Sequence, residues 1–216
     1  EININNINEF FKDIKGIIVP GGFDKRGTQG MIDACKYARE NKIPYFGLCL
    51  GMQIMVIEAA RNLLGYKDSN STEFDETTPF PVIDLMPEQL KNLHKGGSMR
   101  LGLYECKIAD STYAKTIYKL DNIKERHRHR YEVNNKYVEE LKNVGLISSG
   151  VHPEGELVEI MEYNDHPFMI GVQFHPEFLS TPLSPHPMFV EFVKSALNNK
   201  DLRSNKINNE KESRIT

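Results

Sequence analysis

The first third of the chain alternates short apolar runs with segments that are apolar at helical spacing. Residues 14–20 and 43–48 have the length and composition of buried strands. Residues 28–41 and 50–61 each place apolar side chains on one helical face. This strand–helix–strand–helix order predicts an α/β fold, with an open, mostly parallel sheet flanked by helices.

Composition divides the chain into three parts. Residues 1–13 are rich in Asn and Ile and form a lead-in to the first strand. Residues 14–197 contain the periodic segments and are long enough for one domain with a sizeable core. Within them, residues 66–95 carry several prolines and are predicted to be mostly loop. Residues 198–216 are polar and charged, and we expect a disordered tail there.

The junction between the second strand and its helix has the sequence Gly47-Leu48-Cys49-Leu50-Gly51. A strand that turns directly into a helix forces the residue at the turn into a strained, exposed conformation, as in the nucleophile elbow of hydrolases. Glycines on both sides remove the side chains that would block so tight a turn. Cys49 is then expected at a helix N-terminus, where the helix dipole favours the thiolate. The alternative is a buried structural cysteine.

A base for this cysteine is expected downstream, where an apolar strand at 168–174 ends in His175-Pro176-Glu177. In an extended segment, residues i and i+2 point to the same side, so the imidazole and the carboxylate can meet. The carboxylate then holds one ring nitrogen while the other takes the thiol proton. A lone strand-end histidine is usually a satisfied surface residue, but together with the elbow it predicts a Cys49–His175–Glu177 triad.

A glycine pair follows the first strand, in Pro20-Gly21-Gly22-Phe23. Such a pair lets a backbone N–H group approach a ligand closely. The N–H groups of Gly22 and of Leu50, the residue after the nucleophile, are therefore candidates for an oxyanion hole. An ordinary Gly-Gly turn is the alternative.

Charge and composition exclude several classes of function. Lys and Arg total 27 against 30 Asp and Glu, for a net charge of −3, which argues against nucleic acid or an anionic membrane as the main partner. No apolar run reaches the roughly 18 residues of a membrane span, and no signal peptide is visible. Three scattered cysteines fit neither a disulfide framework nor a zinc site. We expect a cytoplasmic protein without a metal, and a piece of a longer one because the chain begins with Glu1.

The segment ERHRHRYEV alternates arginine and histidine. If it is extended, Arg126, Arg128 and Arg130 share one face, while His127 and His129 share the other. Two alternate histidines without a third ligand nearby are weak support for a metal site. An arginine face that binds carboxylate or phosphate fits the geometry better.

The elbow, the glycine pair and the His-Pro-Glu sequence together resemble the class I glutamine amidotransferases, which implies their flavodoxin-like fold. The chain resembles, more specifically, the glutaminase domains of the CTP synthase family, in the segments PGGF, KRG, YFGLCLGMQ, NSTEF, GGSMRLG, ERHRHRYEVN and QFHPEF. The segments GGSMRLG and ERHRHRYEVN are specific to that family among amidotransferases. The resemblance covers residues 14–197.

The resemblance implies a role for each matching residue. Cys49 attacks the glutamine side-chain amide to form a thioester, His175 protonates the departing ammonia and then activates water, and Glu177 orients His175. The oxyanion positions match Gly22 and Leu50. The glutamine-binding positions match Gly22, Leu50, Gly51, Met52, Gln53, Glu73 and Arg130. The ammonium group of glutamine is expected to pair with Glu73 and its carboxylate with Arg130. The positions that face GTP or a domain interface match Phe23, Arg128 and Arg130.

The same resemblance implies partners and cofactors outside this domain. An amidoligase half is expected to receive ammonia through a tunnel and to convert UTP to CTP with ATP and Mg²⁺, while GTP activates the enzyme allosterically. No cofactor is expected in the glutaminase domain, and the full-length enzyme is expected to be a homotetramer. The family's domain usually opens with an earlier strand and helix. The chain also departs from the family at Asp24, where glycine is usual, and at Ser98, where threonine is usual; we expect the Asp24 side chain to point outward.

Two other interpretations stay open at this point. The first is the amidotransferase domain of another synthase, such as one that makes GMP or carbamoyl phosphate, and the arginine–histidine segment argues against it. The second is a non-catalytic module that binds a nucleotide or a partner surface, and the intact triad argues against it. An isolated glutaminase domain is expected to hydrolyse glutamine slowly without its partner half and GTP.

Overall fold

The structure is a computed structural model that describes residues 6–23, 25–85, 99–154 and 157–212, with side chains as far as residue 199. The strands are β1 (Ile17–Val19), β2 (Tyr45–Leu48), β3 (Ser69–Ser71), β4 (Phe80–Leu85), β5 (Arg100–Ile108), β6 (Asn122–His129), β7 (Tyr131–Val133), β8 (Leu146–Val151), β9 (Val158–Tyr163) and β10 (Met169–Val172). The α-helices are α1 (Ile7–Phe10), α2 (Thr28–Glu40), α3 (Leu50–Asn62), α4 (Tyr113–Tyr118), α5 (Val138–Asn143) and α6 (Pro187–Glu212). The predicted strand–helix–strand–helix order is confirmed by β1, α2, β2 and α3.

Seven strands form the central sheet, in the order β1-β2-β10-β9-β8-β5-β6. Parallel pairing joins β2 to β1 and to β10, so that Gly47 lies beside both Val19 and Gly171. The other neighbouring strands of this sheet pair antiparallel. The predicted α/β fold is confirmed, but within the central sheet parallel pairing is confined to β1, β2 and β10, the three strands that carry the candidate chemistry. The strands from β8 to β10 follow one another through short connections, which antiparallel neighbours allow and parallel neighbours do not.

A second, three-stranded sheet has the order β3-β4-β7. The prediction of a mostly loop segment is wrong for β3 and β4, which pair parallel with each other. Strand β7 adds an antiparallel partner to β4. Pro81 is the second residue of β4, where a proline removes one ladder hydrogen bond without ending the strand. Residues 86–95 of the predicted loop lie outside the described residues.

Helices cover both faces of the central sheet. On one face, α3 is buried on nearly all sides and not only on the predicted apolar face, with Ile54 and Ile57 fully buried. On the other face, the Phe46 ring packs against Phe168 and Phe192 at centroid distances of 5.7 and 6.2 Å. In the described part of the chain, no helix combines the length and apolar character that crossing a membrane requires.

Both ends of the chain differ from the predicted lead-in and tail. Ile7 and Phe11 are buried in the hydrophobic core, and the edge of the Phe11 ring meets Tyr37. At the other end, the backbone of α6 stays helical as far as Glu212, although a disordered tail is predicted from residue 198. Residues 198–212 contain neither proline nor glycine, the residues that most often end a helix.

Candidate active site

The chain turns sharply between β2 and α3, with Cys49 at the turn. Cys49 has φ 50° and ψ −99°, a backbone conformation that few non-glycine residues adopt. A Cβ atom on Gly47 would lie 2.5 Å from the carbonyl oxygen of Gly51, and one on Gly51 would lie 2.2 Å from the carbonyl oxygen of Val19. Because no side chain fits at either position, the two glycines permit the turn. The predicted elbow is confirmed.

The strained backbone of Cys49 is as predicted, but its predicted exposure is wrong: the thiol is buried, since only 4% of the residue is exposed. Burial raises the pKa of Cys49 to about 12; the N–H group of Leu50 acts against this shift, and the charges of Glu132, Glu177 and Glu73 add to it. The expected preference for the thiolate is therefore outweighed by desolvation. In the free protein the residue is a thiol at neutral pH, and its reaction requires a base.

His175 and Glu177 meet as predicted, but through a different backbone. The Nδ1 atom of His175 lies 2.6 Å from Oε1 of Glu177. The segment Pro176–Phe178 is a turn of 3-10 helix and not an extended strand, since the fixed φ of proline suits the first position of a helical turn. The Phe178 ring stacks on the imidazole at a centroid distance of 5.0 Å and fixes its plane. Burial raises the pKa of Glu177, but the hydrogen bonds from His175 and from the backbone N–H of Glu177, together with the charges of His175 and His186, outweigh it and hold that pKa below its usual range.

The second ring nitrogen of His175 is available for a proton. Its Nε2 atom is buried and has no hydrogen-bond partner among the described residues. A Cβ atom on Gly21 would lie 2.6 Å from Cε1 of His175 and 3.6 Å from Cβ of Cys49, so the base and the nucleophile flank the same point of the loop after β1. An open proton acceptor beside a thiol is the arrangement that nucleophilic catalysis requires.

The two predicted oxyanion donors are neighbours in space. A Cβ atom on Gly22 would lie 3.1 Å from the side chain of Leu50. Leu50 is the first residue of α3, where backbone N–H groups have no partner within the helix. That both N–H groups converge on one oxyanion stays a prediction.

A narrow pocket opens beside Cys49. Its wall is formed by Gly22, Phe23, Cys49, Gln53, Glu73, His129, Arg130 and Tyr131. The structure thus brings several of the predicted glutamine-binding residues to the nucleophile. It does not bring Leu50, Gly51 or Met52 into this wall. The Met52 side chain is fully buried and packs against Gly171, because it points into the core from the first turn of α3.

Two glutamines connect Cys49 to the pocket wall. Gln173 donates from Nε2 to the Sγ atom of Cys49 at 3.6 Å. Gln53 donates to the carbonyl oxygen of Tyr131 at 3.1 Å and to Oε1 of Gln173 at 3.3 Å. The sequence did not predict Gln173, His129 or Tyr131 in the site. A signal for Gln173 was its place two residues before the base.

The predicted alternation in ERHRHRYEV is confirmed, since its arginines are exposed and its histidines are buried. The guanidinium of Arg128 lies 5.8 Å from the ring centroid of Phe23, which is itself exposed at the pocket mouth. Phe23, Arg128 and Arg130 therefore form one surface beside the pocket. Their contact with GTP stays a prediction. Asp24 and Ser98 lie outside the described residues.

A buried ionic cluster lies behind the pocket, and the sequence did not predict it. Arg100 donates to Glu132 at 3.2 Å and to Glu159 at 2.8 Å, with His127 and His129 against the two carboxylates. Burial raises the pKa of Glu132 to about 8 and that of Glu159 to about 7. Burial also lowers the pKa of His127 to about 2 and that of His129 to about 3. The sequence signal that could have indicated this cluster was the presence of charged residues at strand positions that face inward.

Comparison with known families agrees with this geometry. The family "Glutamine amidotransferase class-I" matches residues 1–195. The chain therefore belongs to the class-I glutamine amidotransferases. A putative GMP synthase protein from Thermoplasma acidophilum shares the fold, with a TM-score of 0.60 at 14% identity over 91% of this chain and 80% of its own.

The chain is, more narrowly, a glutaminase domain of the CTP synthase type. It is 58% identical over 198 residues to the CTP synthase of Caldanaerobacter subterraneus subsp. tengcongensis, covering 92% of this chain and 37% of that enzyme. It is 40% identical to the glutaminase domain of Trypanosoma brucei CTPS, solved with bound acivicin, at a TM-score of 0.85 over 90% of this chain and 75% of that one. The chain thus spans little more than a third of the curated CTP synthases that it matches.

Proposed function

We propose that this domain hydrolyses L-glutamine through a thioester on Cys49 and supplies the ammonia to the amidoligase part of a CTP synthase. The observation that carries the proposal is that the two ring nitrogens of His175 have different surroundings. One nitrogen is held by Glu177 at 2.6 Å, and the other is buried without a partner among the described residues, near the thiol. The raised pKa of Cys49 makes such a base necessary.

The reaction begins when Nε2 of His175 takes the thiol proton and the sulfur attacks Cδ of glutamine. The oxyanion accepts hydrogen bonds from the N–H groups of Gly22 and Leu50. His175 then gives its proton to the departing nitrogen, the C–N bond breaks, and ammonia and a glutamyl thioester form. Water attacks the thioester carbonyl while His175 takes its proton. Collapse of that intermediate breaks the C–S bond, releases glutamate and restores the thiol.

The pocket offers opposite charges for the two ends of free glutamine. Glu73 and Arg130 both line its wall. The carboxylate of Glu73 is suited to the substrate ammonium group, and the guanidinium of Arg130 to the substrate carboxylate. Gln53 contributes from α3, while Gly51 and Met52 contribute through backbone groups only. With Gly22 from the loop after β1, substrate binding therefore combines residues from four separate segments of the chain.

The remaining parts of the activity belong to the longer enzyme. We propose that an amidoligase domain of the same enzyme converts UTP to CTP with ATP and Mg²⁺, as a step of pyrimidine nucleotide synthesis. GTP acts as an allosteric activator at the surface of Phe23, Arg128 and Arg130, where exposed cations and an aromatic ring suit a nucleotide. The full-length enzyme is a cytoplasmic homotetramer in this proposal. The glutaminase domain itself uses no cofactor.

Covalent labelling tests the proposed nucleophile and pocket together. Acivicin is a suitable probe because it binds the Trypanosoma brucei domain. We expect peptide mass spectrometry to find one adduct, on Cys49, which is lost in Cys49→Ala and suppressed by glutamine. Cys35 and Cys106 are buried thiols of the same chain and serve as internal controls. Labelling of either control, or labelling of Cys49 that glutamine does not suppress, would contradict the proposal and favour a scaffold role.

A further inference from the structure

A chain of buried polar groups runs from β9 to the wall of the pocket. Oε2 of Glu159 lies 3.4 Å from Nε2 of His127. Nδ1 of His127 lies 2.9 Å from Nε2 of His129, and Nδ1 of His129 lies 3.2 Å from the carbonyl oxygen of Tyr131. His129 and Tyr131 line the pocket with Cys49. The ionic cluster is therefore connected to the site through two imidazole rings.

The carbonyl oxygen of Tyr131, at one end of this chain of groups, determines which atom donates in each hydrogen bond. A carbonyl oxygen can only accept, so Nδ1 of His129 carries a proton and donates it. Both imidazoles are neutral, because burial holds the pKa of each far below its usual value. Nε2 of His129 is then an acceptor, and His127 donates to it from Nδ1. This leaves Nε2 of His127 without a proton, facing the carboxyl of Glu159.

We propose that Glu159 is a neutral carboxylic acid in the folded protein and donates its proton to Nε2 of His127. The bond would satisfy Oε2 of Glu159 and Nε2 of His127, two buried atoms that have no other partner among the described residues. It would also balance the charge of the cluster. Arg100 bridges Glu132 and Glu159, so one proton on Glu159 leaves a single cation and a single anion.

Glu132 is the competing site for this proton. Burial raises the pKa of Glu132 to about 8 and that of Glu159 to about 7, so acidity alone does not favour Glu159 and the hydrogen-bond geometry decides between them. A proton on Glu132 would reverse the chain of hydrogen bonds. Nδ1 of His129 would then face the Tyr131 carbonyl oxygen at 3.2 Å with no proton between them, and would accept from Glu132 across 3.6 Å. Two opposed acceptors are unfavourable, so the geometry points to Glu159.

The network positions the turn that carries Arg130. Strand β6 ends at His129 in the seven-stranded sheet, and β7 begins at Tyr131 in the smaller one. The carbonyl oxygen of Tyr131 is held by His129 and by Gln53, which fixes the backbone on one side of Arg130. Glu159 is thus a positioning residue that acts through the two histidines. This consequence rests on the proposed function, in which Arg130 binds glutamine.

Two isosteric variants separate Glu159 from Glu132. A glutamine at 159 can accept from Arg100 and donate to His127, as the neutral acid does, whereas a glutamine at 132 removes the anion that Arg100 requires. We expect the KM for glutamine in Glu159→Gln to be independent of pH, while the wild-type KM rises above about pH 7 as Glu159 ionises. At neutral pH, Glu132→Gln should raise KM about tenfold, the effect of one charged hydrogen bond. The reverse ranking of the variants would overturn the assignment. Among the residues that the structure describes, the charged and titratable groups that face Glu159 are Arg100, Cys106, His127 and Glu132.

A spectroscopic measurement tests the proton position without any assay of activity. In protein labelled with ¹⁵N at histidine, we expect His127 and His129 to carry their proton on Nδ1, with Nε2 bare in both. We also expect an infrared carbonyl band of a protonated carboxylic acid that Glu159→Gln abolishes. Protons on Nε2 of both rings would overturn the proposal. The labelling of Cys49 is independent of these signals, so failure of the network and failure of the proposed glutaminase are distinguishable.

Discussion

Nδ1 of His175 lies 2.6 Å from Oε1 of Glu177, and Nε2 of the same ring is buried without a partner in the described part of the chain. Glu177 therefore fixes which nitrogen is left open, and in the proposed mechanism this nitrogen takes the proton of Cys49. The stacked ring of Phe178 holds the same imidazole from its face. The base is thus oriented before any substrate arrives, and turnover should depend on Glu177 as well as on His175.

Glu177→Ala should lower kcat for glutamine hydrolysis roughly 100-fold, with little change in KM, because the carboxylate orients the base and does not line the pocket. Glu177→Gln should lie between Ala and wild type, since its amide oxygen can accept from Nδ1 but carries no charge. Steady-state kinetics of the three proteins provide the measurement. Glu139→Gln removes a charge from the exposed surface of α5 and is the control. Equal kcat values in all variants would remove Glu177 from the triad.

The reactivity of Cys49 should follow its raised pKa. Without substrate, alkylation by iodoacetamide should be slow at pH 7 and rise about tenfold for each pH unit up to pH 10, because the thiolate fraction grows tenfold per unit below a pKa of about 12. Stopped-time alkylation with peptide mass spectrometry gives the rate for this residue alone. A plateau near pH 8 would indicate a stable thiolate and would contradict the burial argument.

The elbow glycines should tolerate no side chain. Gly51→Ala places a Cβ atom 2.2 Å from the carbonyl oxygen of Val19, and the backbone must shift to relieve it. We expect a loss of about 3 kcal/mol or more in the free energy of unfolding, measured by chemical denaturation. Gly65→Ala is the control, because it introduces backbone strain without a steric clash. Gly65 has φ +79° but no neighbour within 4 Å of an added Cβ, so we expect a loss of about 1 kcal/mol. Equal losses in both variants would show that the close approach does not matter.

Glu73 and Arg130 should affect substrate affinity more than turnover. Glu73→Gln and Arg130→Lys should each raise the KM for glutamine about 10-fold to 100-fold, because each weakens a charged hydrogen bond to a substrate terminus. The matched control is Arg126→Lys, an exposed arginine of the same segment that lies in β6 and outside the pocket wall. A KM that changes as much in the control as in Arg130→Lys would place the substrate carboxylate elsewhere.

The free energy of unfolding should depend on pH in the way that a neutral carboxylic acid at Glu159 requires. Because its pKa is about 7 when folded and about 4.3 when unfolded, the folded state binds one more proton between those pH values. Stability contributed by this group therefore falls as pH rises through that window, by about 1.4 kcal/mol per unit. The lowered pKa values of the buried histidines make stability rise with pH, which is the opposite effect. Subtracting the free energy of unfolding of Glu159→Gln from that of the wild type removes the contribution of the histidines and leaves that of Glu159. Parallel denaturation profiles from pH 5 to 7 would contradict this account.

The local chemistry of the site was predictable, but its surroundings were not. Gly47 and Gly51 identify the elbow because only a tight strand-to-helix turn needs both, and the His175–Glu177 contact follows from short sequence separation. The state of the Cys49 thiol was not predictable, since the helix N-terminus favours a thiolate and only the tertiary burial of the sulfur outweighs it. Two features of the fold depend equally on tertiary contacts. One is the confinement of parallel pairing in the central sheet to three strands, and the other is the formation of strands β3 and β4.

The buried cluster shows a different limit. Arg100, Glu132 and Glu159 are separated by 32 and 27 residues along the chain, and each alone resembles a surface charge. Their meeting depends on how β5, β7 and β9 assemble, and this comes from sheet topology rather than from any motif. The alternation in ERHRHRYEV predicted that the arginines and the histidines lie on opposite faces of the strand. It did not predict the partners of the inward histidines.

Trapping the covalent intermediate tests the central claim most directly. The domain is mixed with isotopically labelled glutamine and quenched in acid during turnover, and the peptide that contains Cys49 is analysed by mass spectrometry. We expect the mass of one glutamyl group on Cys49, removable by hydroxylamine and absent from Cys49→Ala, which should also lack glutaminase activity. Glutamate release without a label on Cys49, or continued turnover in Cys49→Ala, would contradict catalysis through a Cys49 thioester.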